Sequence, residues 1–118
     1  MIQKRIQLAG NYQSWLPTGI FMRTGQRAQI SATGTMYFGP FGFRHSSPSG
    51  QQDRPAGPNA PAPGLTAYSL VARTGERVRF IGASSCITAD ADAQLELAAN
   101  DDWSADNGGY WNITIRLG

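Results

Sequence analysis

The patterned part of the chain ends on the run Tyr110-Trp111-Asn112-Ile113-Thr114-Ile115-Arg116-Leu117, in which apolar side chains fall on every second position. A period of two places one set of side chains on a buried face and the alternate set in solvent, which is typical of a half-buried β-strand. Residues 4–9 and 27–33 alternate in the same way, and no stretch of useful length has a helical period. The sequence therefore predicts an all-β protein.

Shorter patterned segments separated by Gly-containing turns extend this prediction. We expect strands at residues 18–23, 65–73, 77–81, 86–88 and 94–98. Thr35–Phe38 is expected to continue the strand before it, past an end or a bulge at Gly34. About eight short antiparallel strands predict a small β-sandwich of the jelly-roll, galactose-binding-domain-like type. A chain of 118 residues fits a single domain, residues 1–118.

Residues 39–64 interrupt the pattern. This Pro/Gly-rich loop contains six of the seven prolines, with Gly, Ser, Gln, Asn and Ala making up much of the rest. A long connection without regular structure inside a compact domain is usually functional or disordered. Composition leaves both interpretations open: one wall of a binding site, or a floppy insertion.

Composition excludes several classes of protein. The net charge of +2 is too small and too scattered to favour a nucleic-acid partner. No apolar run approaches the roughly 18 residues of a membrane span, which argues against membrane insertion. The N-terminus alternates and lacks the continuous apolar core of a signal peptide, so we expect cytoplasmic synthesis, with any release or surface display by another route.

Two single residues bear on metal and redox chemistry. Cys86 is the only cysteine, so no internal disulfide can form, and its apolar neighbours predict a buried, inert thiol. His45 is also alone, which removes the usual zinc signatures.

The segment before the last strand is acidic and reads Asn100-Asp-Asp-Trp-Ser-Ala-Asp-Asn-Gly-Gly109. Carboxylates this close repel one another unless they are solvated or share a cation. Calcium takes oxygen ligands of this kind in flexible geometry, although the spacing is not that of an EF-hand. The same residues also suit an ordinary turn, because Asp, Asn and Gly tolerate positive φ. Both interpretations stay open at this point.

The order of motifs along the chain resembles the PA-IL-like (LecA-type) bacterial lectins. The motifs are Thr18-Gly-Ile20, Thr24-Gly-Gln-Arg-Ala-Gln-Ile30, Tyr37-Phe-Gly-Pro40, Pro48-Ser-Gly50, Leu70-Val-Ala-Arg-Thr-Gly75, Phe80-Ile-Gly82, Leu95-Glu-Leu-Ala-Ala-Asn-Asp101 and Asp106-Asn-Gly-Gly109. That family is a small jelly-roll group that binds galactosides through a bound calcium. The resemblance implies a Ca²⁺-dependent lectin without catalysis.

The resemblance also implies a ligand set. The side chains of Asp101, Asp106 and Asn107 would hold the ion, with the backbone carbonyls of Phe38 and of Ala105 (or Ser104). Two sugar hydroxyls would take the remaining positions. Sugar contacts are expected from Phe38, Arg54, Pro55, Asp101, Asp102, Trp103 and Asn107.

The sugar wall departs from the family pattern. The family motif His-Pro-x-Gln, whose His and Gln contact sugar hydroxyls, aligns here with Arg54-Pro-Ala-Gly57. Arg54 can bind hydroxyls or an anionic group, whereas Gly57 offers no side chain. Trp103 either stacks on the apolar face of a sugar or caps the core.

We therefore expect a lectin for galactose-containing glycans, and a homo-oligomer, because weak sites gain strength from multivalency. A structural or protein-interaction jelly roll is the first alternative. A glycoside hydrolase is the second, using two carboxylates among Asp53, Asp90, Asp92 and Glu96.

Overall fold

The computed structural model describes residues 2–12, 15–38, 44–101 and 107–117. These residues form eleven strands and no helix. The strands are β1 Ile2–Ala9, β2 Leu16–Met22, β3 Arg27–Phe38, β4 Arg44–Ser46, β5 Gln51–Pro55, β6 Thr66–Ala67, β7 Leu70–Thr74, β8 Arg77–Phe80, β9 Ser84–Thr88, β10 Ala93–Ala99 and β11 Gly108–Leu117. No helix in the described ranges could cross a membrane.

Two antiparallel sheets make up the sandwich. The five-stranded sheet has the order β1-β11-β3-β4, and β9 pairs with the edge of β3 that also carries β4. The four-stranded sheet has the order β2-β10-β7-β8, and β5 and β6 form a separate pair. The expected all-β, antiparallel jelly-roll sandwich is therefore confirmed.

The core lies between the two sheets and follows the predicted alternation. Trp111, Ile113 and Ile115 of β11 are at most 1% exposed, and Leu95 and Leu97 of β10 are fully buried. The indole of Trp111 donates a hydrogen bond to the carbonyl of Ser46 at 3.2 Å, so the one polar group of this large side chain is satisfied. The alternation predicted for β11 is confirmed, and Leu95 and Leu97 of the predicted strand 94–98 both face the core.

The strand β3 is longer and more regular than expected. It runs through Gly34, which pairs with Trp111 without a shift in register. Gly34 has a φ of 108°, and a Cβ there would lie 2.7 Å from the carbonyl oxygen of Tyr110. Glycine therefore permits close approach of β11 and does not end or bulge the strand.

Two other local predictions were wrong. The stretch 65–73 is not one strand, because it breaks at Tyr68–Ser69 between β6 and β7. The thiol of Cys86 is exposed and contacts the Gln29 side chain at 2.7 Å, whereas Ile87 faces the core. The pattern around Cys86 was too short to fix which face it takes.

The Pro/Gly-rich loop contains regular structure. Within its described part, β4 pairs with β3, and β5 pairs with β6. Ala60 and Ala62 are buried, and Ala62 packs with Val71 and Ala98 on the outer side of the four-stranded sheet. A floppy insertion does not describe residues 44–64.

Candidate functional site

Asp101 and Asn107 come together at one end of the sandwich. Asp101 follows β10, which belongs to the four-stranded sheet, whereas Asn107 precedes β11 of the five-stranded sheet. The amide nitrogen Nδ2 of Asn107 donates a hydrogen bond to Oδ2 of Asp101 at 2.6 Å. Asn107 is only 7% exposed, and Asp101 is half-buried. Hydrogen bonds to a carboxylate are stronger than those between neutral groups, so this contact closes the two ends of the acidic segment onto each other.

Phe38 reaches the same end of the five-stranded sheet. Tyr37 of β3 pairs with Gly108 of β11, so Phe38 follows this pair on one strand and Asn107 precedes it on the other. The Phe38 side chain is 1% exposed and packs on Tyr68, with ring centroids 4.4 Å apart. The Phe38 ring is therefore part of the core and is not accessible to a ligand.

A cleft of about 240 Å³ adjoins Asp101. It is lined by Arg54, Pro55, Ala56, Gly57, Ala67, Tyr68, Asn100 and Asp101. The predicted sugar-wall residues Arg54 and Pro55 thus share one cleft with Asp101. The Arg54 side chain is exposed, so the cleft is lined by one accessible guanidinium group and by one carboxylate.

Asn100 holds the wall of this cleft in place. Its side chain is fully buried and accepts a hydrogen bond from the backbone N–H of Ala62 at 2.9 Å. Its Nδ2 donates to the carbonyls of Ala62 at 3.0 Å and Thr66 at 2.9 Å, with a longer contact to Leu65 at 3.4 Å. The carboxamide replaces backbone partners that an irregular segment cannot supply. Asn100 is therefore a positioning residue for the segment 62–66.

Tyr68 is the functional candidate that sequence reasoning missed. Among the described residues, Tyr68 is the one non-glycine residue whose φ is positive, at 59°. Its N–H donates to the carbonyl of Asn100 at 2.8 Å, which fixes this conformation. Strained backbone that is held by its surroundings clusters at binding sites. No signal in the sequence marks it, because tyrosine has no preference for this region.

Three of the carboxylates considered for hydrolysis, Asp90, Asp92 and Glu96, each contact a neighbouring group, and the side chain of Asp53 lies outside the described part of the structure. The hydroxyl of Thr74 donates to Asp90, and this hydrogen bond lowers the pKa of Asp90 despite some desolvation. The backbone N–H and hydroxyl of Thr24 likewise lower the pKa of Asp92. Glu96 is engaged by Arg73 at 2.9 Å. A general acid in glycoside cleavage needs a raised pKa, and Asp90 and Asp92 are shifted the other way.

Part of the predicted site lies outside the described residues, namely Asp102, Trp103, Ser104, Ala105 and Asp106. In the ranges that the structure does describe, no three His, Cys, Asp or Glu side chains come together as a metal site. The donor chemistry that is described consists of the carboxylate of Asp101, the carboxamide of Asn107 and the carbonyl of Phe38. These oxygen donors fit a hard cation such as calcium. The Asn107–Asp101 hydrogen bond uses the amide nitrogen of Asn107 and not its oxygen.

Comparison with known proteins places the fold. No family model matches the chain, and no curated protein matches it. Among solved structures, the chain is similar to one described as "EclA N-terminal domain; PllA-like lectin", with a TM-score of 0.78. The match covers 97% of this chain and 95% of the other, at 22% sequence identity. At that identity the likeness shows a shared lectin-type sandwich fold.

Proposed function

We propose that this domain binds carbohydrate at the end of the sandwich where Asp101, Asn107 and the cleft meet. The observation that carries the proposal is the hydrogen bond of 2.6 Å between Asn107 and Asp101, next to a cleft of about 240 Å³, on a fold shared with a lectin. A small cleft rimmed by charged and amide side chains suits a polar ligand of the size of one sugar unit. Binding alone is proposed, with no catalytic step.

The finer proposal is that binding depends on calcium. The ion would be held by the side chains of Asp101, Asp106 and Asn107, with carbonyl oxygens from Phe38 and from Ala105 or Ser104. When bound, it supplies a hard Lewis acid that sugar hydroxyl oxygens can ligate. The chain's own contribution would be to hold Asp101 and Asn107 beside each other, so that both side chains can contact the same hydroxyls.

The proposed ligand is a galactose-containing glycan, with Arg54 and Pro55 forming the far wall of the site. Arg54 is a donor of up to five hydrogen bonds and accepts none. It can therefore bind sugar hydroxyls through their oxygen lone pairs. Trp103 and Asp102 complete the proposed sugar contacts. We also propose that the protein is a homo-oligomer, because a small, solvent-exposed binding site gains avidity when several copies are presented together.

Calorimetric titration of calcium into chelator-stripped protein tests the site. Asp101→Asn removes one negative charge while keeping an acceptor for Asn107, and we expect calcium affinity to fall at least about tenfold. Glu76→Gln is the matched control, because Glu76 is exposed in the turn between β7 and β8 and is remote from the site in sequence and sheet position. Calcium binding unchanged in Asp101→Asn would refute the proposed ligand set.

A second titration, with galactose, separates the ion from the sugar. Galactose binding that disappears with chelator supports the whole proposal. Calcium binding without galactose binding would leave the ion site and overturn the sugar, and a glycan array would then identify another ligand. Absence of any calcium binding would reduce the acidic segment to a turn.

A protein-interaction module is the second candidate function, and one observation favours it. Gly57 lines the cleft, and it aligns with the Gln that contacts sugar in the lectin family that the sequence resembles. If no glycan on an array binds in a chelator-sensitive way, this alternative replaces the lectin.

A further inference from the structure

The five-stranded sheet is basic and contains no acidic residue. The eight Asp and Glu residues of the chain all lie outside β1, β3, β4, β9 and β11. The basic residues of these five strands are Lys4, Arg5, Arg27, Arg44 and Arg116. The four-stranded sheet is different, since Arg73 pairs there with Glu96 at 2.9 Å. The five strands of this sheet therefore carry five of the ten basic residues and none of the eight acidic ones, in a protein whose net charge is +2.

Three of these arginines form a diagonal row on the outer face of the sheet. Arg5 pairs with Thr114, two residues before Arg116, and Arg116 pairs with Gln29, two residues after Arg27. Alternate residues of a strand share a face, so Arg5, Arg116 and Arg27 point to the same side on three neighbouring strands. Diagonal neighbours of this kind are about 7–8 Å apart. We call these three residues the arginine row.

The arginine row is accessible, and within the described part of the chain no ion pair involves it. All three side chains are exposed. The ion pairs found within the described residues involve Arg73 and Arg79, and none involves the row. Three unneutralised guanidinium groups side by side repel one another, and a ligand with several negative groups relieves this repulsion.

A groove lies beside the row, and several of the side chains that line it are polar. A groove of about 420 Å³ runs between β1 and β11 and is lined by Arg5, Ile6, Gln7, Asn112, Ile113 and Thr114. The side chain of Gln7 donates to that of Asn112 at 3.2 Å. Further out on β3, exposed Ser31 and Thr33 continue the neutral hydrogen-bonding surface. Amides and hydroxyls both donate and accept hydrogen bonds, as sugar hydroxyls do.

We propose that this outer face binds a linear acidic polysaccharide, whose sulfate or carboxylate groups contact the arginine row while its hydroxyls contact the neighbouring amides and hydroxyls. Guanidinium groups bind such anions bidentately. Nucleic acid is a poorer fit, because duplex binding draws on many more phosphate contacts than three arginines can make. The proposal does not depend on calcium or on the Asp101 site.

Binding to immobilised dextran sulfate, at low salt and with chelator present, tests the proposal, and neutral dextran serves as the blank. Arg116→Gln removes the central member of the row, and we expect about fivefold weaker binding. Arg77→Gln is the matched control, since Arg77 is also an exposed strand arginine but lies on β8 of the other sheet. We expect it to change binding by less than about twofold. Arg5→Gln combined with Arg116→Gln should weaken binding further.

The possible outcomes separate this proposal from the calcium site. Asp101→Asn should leave dextran sulfate binding unchanged, and Arg116→Gln should leave calcium binding unchanged. Equal losses in Arg116→Gln and Arg77→Gln would show a response to net charge alone and would overturn the proposal. Tighter binding to duplex DNA or to anionic lipid vesicles than to dextran sulfate would also overturn it. Thermal melts of each variant establish that the fold is intact.

Discussion

Replacing Asn100 by alanine should destabilise the protein far more than its position next to an exposed acidic segment suggests. The side chain is fully buried and makes three short hydrogen bonds, with the N–H and carbonyl of Ala62 and the carbonyl of Thr66. Asn100→Ala leaves these three backbone groups without their partner. Each unsatisfied buried group costs about 1 kcal/mol at the low end, which applies here because the neighbouring cleft admits water. The expected loss of unfolding free energy is therefore about 3 kcal/mol.

Thermal and urea denaturation, followed by circular dichroism, measure this loss. For a domain of this size we expect the melting temperature to fall by about 10–15 °C. Asn112→Ala is the matched control, because Asn112 is exposed on β11 and its side chain accepts a hydrogen bond from the exposed Gln7. That change should cost less than about 0.5 kcal/mol.

A second substitution at the same position checks the mechanism. Asn100→Asp keeps the acceptor for the Ala62 N–H but turns a carboxylate toward the carbonyls of Ala62 and Thr66. Burial and these carbonyl dipoles raise the pKa of the new carboxyl above its unfolded value, so its stability is greatest in mild acid and is lost as pH rises. A loss below about 1 kcal/mol in Asn100→Ala, or no pH dependence in Asn100→Asp, would refute the role given to this network.

Three further outcomes are expected. Gly34→Ala should lower the free energy of unfolding by about 2–4 kcal/mol in urea denaturation, because φ is 108° and the new Cβ would meet a backbone oxygen at 2.7 Å. Gly25→Ala is the control, and it should cost only about 1 kcal/mol, because φ is 88° there and no atom lies within 4 Å of the new Cβ. Equal costs in the two variants would contradict the clash at Gly34. Thr74→Val should raise the pKa of Asp90 toward its ordinary value of 3.8 in an NMR titration, since the Thr74 hydroxyl is the main cause of the lowered pKa. The stabilisation from this ionised carboxylate is present above that ordinary value and is lost as pH falls through the lowered pKa, and an unshifted titration in the variant would argue against the hydrogen bond. Cys86 should react with a thiol reagent in the native protein at the rate of an exposed thiol, and protection until unfolding would show that it is buried after all.

Prediction of the strands succeeded where a period of two extends over six or more residues. β1, β3 and β11 are of this kind, and their buried faces are the predicted ones. Prediction failed where the pattern is short. At Cys86 the three residues fit either of two phases. At Tyr68 a largely apolar stretch concealed a break that depends on a contact with Asn100.

The candidate site was only partly predictable from sequence. The acidic segment and the Arg54–Gly57 stretch were identified from their residues, and the structure places Arg54 and Asp101 on one cleft. The hydrogen bonds of the Asn100 side chain and the positive φ of Tyr68 were not predicted, because both depend on backbone groups more than thirty positions away in the chain. Side-chain type alone does not identify which distant carbonyl needs a donor.

The sequence by itself determined the all-β class, the turns and the inward faces of the long strands, because strand periodicity and turn chemistry are local properties. Only the tertiary structure decided that β1 lies against β11, that β9 shares an edge of β3 with β4, and that three arginines form a row. Alternation specifies which face of a strand is buried but not which strand lies beside it. Which strands pair is decided when both sheets pack over one core. This packing also brings Asp101, which follows β10, into contact with Asn107, which precedes β11.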